Sequence, residues 1–148
     1  VSVVIGELSN SGAIPSLELM VRFAGARQRV LAHNVANLDT PDFRPTDVSP
    51  AAFQSALGRA IDQRRARTGG MTGELPFGGN AQVRREADGR LTLRPTSPSG
   101  SILFHDRNNR DLERLMQDNT ENASALRVAV DLLRSRYEIL RTAISERV

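Results

Sequence analysis

Apolar positions form two long rhythmic stretches separated by a middle that keeps no period. In the first, Leu17, Met20, Ala24, Arg27, Leu31, Asn34 and Leu38 are spaced alternately by three and four residues. Leu19, Phe23, Ala26 and Val30 repeat the rhythm on the adjacent row. This predicts an amphipathic helix with a broad apolar face, with Ser16 as N-cap and Glu18 in the first turn. Gly25 costs such a helix about 1 kcal/mol relative to Ala, and is expected to admit a close neighbour. The helix ends within LAHNVANLDTPDFRP, residues 31–45. Pro41 forces Thr40 out of helical geometry, Pro45 prevents resumption, and Asn37 and Asp39 are placed to satisfy the freed backbone groups.

The second stretch lies at the other end. Leu112, Asn119, Leu126, Leu133 and Leu140 recur every seven residues, with Met116, Ala123, Val130, Tyr137 and Ile144 as an interleaved row. Asn108 or Asn109 is the expected cap, with Asp111 and Glu113 in the first turn. Neither Gly nor Pro occurs after Asn109. Roughly 37 residues at about 1.5 Å each make a rod of about 55 Å, and an apolar period of 3.5 residues held this long argues for a coiled coil.

Between them, Ser49-Pro50 restarts a helix with an N-cap and a proline at the first position. Its stripe of Phe53, Leu57, Ala60 and Ile61 predicts a short helix fading near Arg65. Residues 66–81 hold five Gly and one Pro, which predicts a mobile loop. Residues 82–94 suit a β-hairpin turning at Asp88-Gly89 as type I′, with Val83, Leu91 and Leu93 on one face. Pro95, Pro98 and Gly100 break that pattern, and Ile102-Leu103-Phe104 is a short apolar run without its own helix. The expected fold is therefore mostly α. Long N- and C-terminal helices form a coiled-coil hairpin, and the loop-rich middle holds a short helix and a small hairpin. Four segments follow: a flexible 1–15, the first helix and its turn over 16–45, a variable 46–105, and the C-terminal helix over 106–148.

Composition changes what this hairpin is for. Only 39% of the 148 residues are apolar and 4% aromatic, low for a chain that seals its own core. There is no cysteine, which excludes disulfides and thiol catalysis. VSVVI, residues 1–5, is too short for a signal peptide, and no apolar run approaches the roughly 18 residues of a membrane span. All 20 basic residues are Arg, and the net charge is +3. The excess lies in residues 59–94, while the C-terminal helix is balanced.

No chemistry is signalled. His33 and His105 have no third ligand in a recognisable pattern, so no metal is expected. No P-loop, GxSxG, HExxH or dinucleotide fingerprint is present, so neither an enzyme nor a cofactor site is expected. Asn34 and Asn119 lie on apolar rows, where a buried Asn fixes register. Tyr137 is expected to pack. Arg64-Arg65-x-Arg67 reads either as a solvated helix end or as a site for phosphate or anionic headgroups.

Ala36-Asn37-Leu38-Asp39-Thr40-Pro41-Asp42-Phe43 resembles the A-N-x-x-T-P-x-[FY] motif of bacterial flagellar rod and hook proteins. Asn108-Asn109-Arg110-Asp111-Leu112-Glu113 resembles the motif that opens the C-terminal helix of that family. Arg136–Ile144 is similar to the tail of its short proximal-rod members. Asp42 departs from the Gly common at that point of the turn. The resemblance covers residues 16–45 and 106–147. It implies a structural subunit of the flagellar rod, exported uncleaved through the flagellar type III apparatus into the periplasmic basal body. The implied partners are other rod subunits and the adaptor at the rod base, with no nucleic acid, small-molecule substrate or membrane span. Ala36, Asn37, Thr40, Pro41 and Phe43 would form the family turn. The rhythmic rows supply the expected assembly surface: Leu17, Met20, Leu31, Leu112, Met116, Leu126, Val130, Leu133, Tyr137, Leu140 and Ile144. The competing reading is an arginine-rich coiled-coil regulator that binds nucleic acid. Against it, the long helix carries as many acids as Arg and lacks a basic region before the zipper.

Overall fold

The structure, a computed structural model, describes residues 10–41, 43–97 and 107–145. Its elements are α1 (Ile14–Ala36), α2 (Pro50–Thr68), β1 (Val83–Arg85), β2 (Leu91–Leu93) and α3 (Arg107–Ser145). Long helices stand at both ends, and a two-stranded antiparallel sheet lies in the middle.

α1 starts ahead of the expected cap. Ala13 takes the N-cap position without a side-chain bond, and Pro15 occupies the first turn, where its fixed φ suits the helix. Ser16 is therefore not the cap; its hydroxyl donates to the Ala13 carbonyl at 2.8 Å. Glu18 falls beyond the first turn and instead accepts from Arg22 at 3.2 Å. Residues 10–15 are not loose. The Gly12 N–H donates to the Met71 carbonyl at 2.8 Å, and Ile14 and Pro15 are buried. The rest of the segment expected to be flexible, residues 1–9, lies outside the described residues.

The α1 terminus follows its chemistry. Asn37 is the C-cap, and both its backbone N–H (3.2 Å) and its side-chain amide (2.8 Å) donate to the His33 carbonyl. The Thr40 N–H donates to the Asn37 carbonyl and the Phe43 N–H to that of Thr40, which turns the chain around Pro41. Asn34 then clamps the extended segment. Its amide donates to the Thr46 carbonyl at 2.6 Å and accepts the Thr46 N–H at 3.1 Å. This buried Asn fixes the return of its own chain.

α2 opens as expected, with Ser49 Oγ accepting the Ala52 N–H at 3.1 Å. It runs three residues past Arg65 because nothing breaks it before Gly69-Gly70. The core gathers Leu19 and Phe23 of α1, Val48, four side chains of α2, and Leu75, Phe77 and Val83. Phe53 is its centre, stacked on Phe23 at 4.0 Å between centroids and tilted against Phe77 at 5.7 Å. Each buried Leu, Val or Phe of this cluster contributes about 1.5–3 kcal/mol.

Residues 66–81 are thus not the mobile loop their Gly and Pro content suggests. Residues 66–68 finish α2, and Leu75 and Phe77 are both buried in the core. Gly79 lets this segment turn against β1. Its φ is +79°, and a Cβ there would stand 2.2 Å from the Val83 carbonyl oxygen.

The hairpin pairs Val83 with Leu93 and Arg85 with Leu91. Val83 is buried, and Leu91 and Leu93 pack against the core beside it. The turn differs from type I′. The Gly89 N–H donates to the Glu86 carbonyl and the Glu86 N–H to that of Arg90, so Ala87 and Asp88 form the turn. Gly89 follows at φ +81°, the three-residue loop with a glycine bulge. Asp88 stays ionised to lower pH than usual, chiefly because its carboxylate accepts the Arg90 backbone N–H.

α3 begins at Arg107, so Asn108 and Asn109 lie inside the helix rather than capping it. The 102–104 run, His105 and Asp42 lie outside the described residues.

Candidate assembly interface

α3 packs along α1 in the antiparallel sense, since Asn119, Asn122 and Tyr137 meet Gln28, Ala24 and Glu18 in turn. The helices differ in length: 23 residues against 39, or about 34 Å against about 58 Å. Leu115, Asn122 and Ala129 are buried on the face turned to α1, flanked by half-buried Leu112, Asn119, Leu126, Leu133 and Leu140. The first heptad row therefore lies along the seam between α1 and α3 of the same chain.

The second row does not. Met116, Ala123, Tyr137 and Ile144 are exposed and Val130 is half-buried; the paired row is Leu115–Asn122–Ala129. Both rows satisfy a three-four alternation with the leucines, so spacing alone does not separate them. Polar bonding does. The Asn122 amide donates to the Ala24 carbonyl at 2.9 Å and to Gln28 Oε1 at 2.7 Å, and Gln28 Nε2 donates to Asn119 Oδ1 at 2.5 Å. A row of Leu, Asn and Ala looks weaker by hydrophobicity, yet only Asn122 reaches the helix backbone opposite. Gly25, next to that carbonyl, has no atom from outside its own helical backbone within 4 Å of where a Cβ would stand, so it admits no close neighbour among the described residues.

On α1, Leu17 and Leu31 are buried, Leu31 completely. In this conformation they serve the chain's own interior, and cannot also face a second chain. Met20 remains exposed. Of the family-turn residues, Ala36, Thr40 and Pro41 are exposed, Asn37 caps α1, and Phe43 stands edge-on to His33 at 5.7 Å.

Buried ion pairing adds to the seam. Arg27, on the apolar row of α1, donates twice to Asp47 (3.0 and 2.6 Å) and lies 3.8 Å from Asp118 of α3. Asp47 also accepts the Val48 N–H and pairs through its backbone with Thr96. The Arg27 guanidinium thus links α1 to α3 and to the return segment, and the backbone of Asp47 ties that segment to the strand exit. An Arg on an apolar row is the signal that could have found this pair. Arg64 is likewise internal rather than a solvated helix end, while Arg65 and Arg67 are exposed.

Beyond this seam α3 keeps exposed apolar side chains on both flanks. Val128, Leu132 and Ile139 lie exposed to one side and Met116, Tyr137 and Ile144 to the other, interspersed with the exposed charges of Arg114, Glu121, Arg134 and Arg141. Val128 is 57% exposed and Ile139 56%. A shallow groove of about 440 Å³ runs between Val130, Leu133, Tyr137 and the stems of Arg134 and Arg141. The Tyr137 hydroxyl donates to Glu18 Oε1 at 2.7 Å, and this bond, with partial burial, pushes its pKa up to about 12.

Comparison with family models, curated proteins and solved structures returned no match. Among the described residues no three His, Cys, Asp or Glu side chains are grouped to hold a metal ion. None of the described helices is long and apolar enough to cross a membrane.

Proposed function

We propose that the chain is a structural subunit of the bacterial flagellar proximal rod. It assembles in the periplasmic basal body through the flanks of α3 that α1 leaves uncovered. The observation that carries this reading is the set of large apolar side chains that α3 leaves exposed on both sides of the seam, with Val128 and Ile139 more than half exposed. Two different flanks on one helix allow heterologous contacts, which form a ring or, where the rotation does not close, the open helical array a rod requires. The motifs at residues 36–43, 108–113 and 136–144 supply the flagellar assignment and the expected export through the flagellar apparatus. The partners are other rod subunits and the adaptor at the rod base; the role is mechanical rather than enzymatic.

The test uses exposed positions, because Leu133 is half-buried against α1 and its loss would also disturb the monomer. Leu132→Asp with Ile139→Asp places charges on one flank without touching the seam. Burying such a charge carries a large desolvation penalty. The doubly substituted chain is expected to keep its helical content and thermal midpoint, fail to enter rods, and leave a flagellated host lacking its own copy non-motile. Normal motility at normal protein levels would remove the flank from the assembly surface.

A further inference from the structure

We propose that the cleft between the first turn of α1, the last turn of α2 and Arg136 of α3 binds a phosphate group. This inference stands apart from the flagellar reading. The cleft measures about 460 Å³, and among the described residues its lining holds Arg64, Arg65 and Arg136 but no acidic residue.

Arg64 is the central observation. It is only 4% exposed, and its guanidinium donates to the carbonyls of Thr72 (3.2 Å), Gly12 (2.6 Å) and Asn10. All three acceptors are neutral. Among the described residues no carboxylate pairs with it, unlike Arg27, which has Asp47. A buried cation without a counter-charge is costly, and an anion in the adjoining cleft would supply one.

The surroundings favour the same ligand. Arg65 is exposed and, among the described residues, has one ion pair, a 3.5 Å contact to the equally exposed Asp62. Arg136 reaches the cleft from the third helix. The positive end of the 23-residue α1 opens there too, so its dipole favours negative charge, although Pro15 has no N–H and those of Gly12, Ile14 and Leu17 already donate to carbonyls. Guanidinium forks match phosphate oxygens geometrically. Ile61 and the exposed Met71 give the cleft an apolar wall, room for a group esterified to the phosphate. The source is then free phosphate or a phospholipid headgroup.

The test leaves Arg64 intact and changes the two outer arginines, Arg65→Gln and Arg136→Gln. The full chain is titrated with inorganic phosphate against chloride at matched ionic strength, following the amide signals of Gly12, Gly69 and Gly70. In parallel, flotation compares phosphatidylglycerol vesicles with phosphatidylcholine vesicles. Saturable shifts with phosphate alone, weakened at least about tenfold in the double variant, support a free-phosphate site. Silence with phosphate, but phosphatidylglycerol binding lost in the double variant, supports the headgroup source. Binding that survives both substitutions, or no response to either probe beyond that of chloride, overturns the proposal.

Discussion

α1 is covered on two sides by different kinds of surface. Toward α2 and the hairpin it presents Leu19 and Phe23 to an apolar cluster that, among the described residues, draws on none of α3. Toward α3 it presents Ala24, Gln28, Arg27 and Glu18, met by Asn122, Asn119, Asp118 and Tyr137. The first side stabilises by burial. The second specifies alignment, because each polar partner is satisfied in one register only. A long helix held by alignment along one stripe leaves the rest of its apolar surface for other contacts.

The largest test of this contrast is Phe53→Ala. Removing the ring between Phe23 and Phe77 is expected to cost about 3–5 kcal/mol, read by chemical denaturation. A loss below about 1 kcal/mol would mean that the aromatic cluster is not the stabilising side. Asn122→Ala comes next, at about 1–3 kcal/mol for the bonds lost to Ala24 and Gln28. Asn122→Leu sharpens it. Stability should return, while spin-label distances between α1 and α3 broaden as register is lost. A single sharp distance in that variant would show that Asn122 does not set alignment.

Much of this was legible because periodicity and breaker chemistry are local. The three helices, the Ser49 cap, the Asn37 terminus and the shared face of Val83, Leu91 and Leu93 all follow from residues within a few positions of each other. The errors lie where distant groups decide. Leu75 and Phe77 sit in a glycine-rich stretch whose burial depends on an α1–α2 core that pattern alone does not reveal. The choice of the 115–122–129 row over the 116–123–130 row rests on one amide reaching the Ala24 carbonyl. Asn34 is visible on its row as a buried Asn, but its partner, the Thr46 backbone, is not. The exposed flanks of α3 are readable as excess apolar positions once the covered row is known.

The smallest effect concerns pH. Tyr137 has its pKa raised from 10.0 to about 12 in the folded chain. The folded state therefore holds the phenolic proton more tightly than the unfolded state. This contribution is fully present below pH 10 and is lost as pH rises toward 12. Denaturation midpoints of the native chain should fall across that window more steeply than those of Tyr137→Phe. Identical slopes would mean that the Glu18 bond does not persist in solution.

The Asn34–Thr46 clamp has a kinetic consequence. It closes a loop between residues 12 positions apart, whereas the Asn122–Ala24 bond spans 98. Loop-closure entropy grows with span, and contacts of short separation form sooner. The chain reversal at Pro41 and the joining of α1 to α2 are therefore expected early in folding, with α3 docking last. During that interval the seam and both flanks of α3 are open together. A chain held briefly in this state meets a neighbour before its own hairpin closes, so the order of folding and the order of assembly become linked.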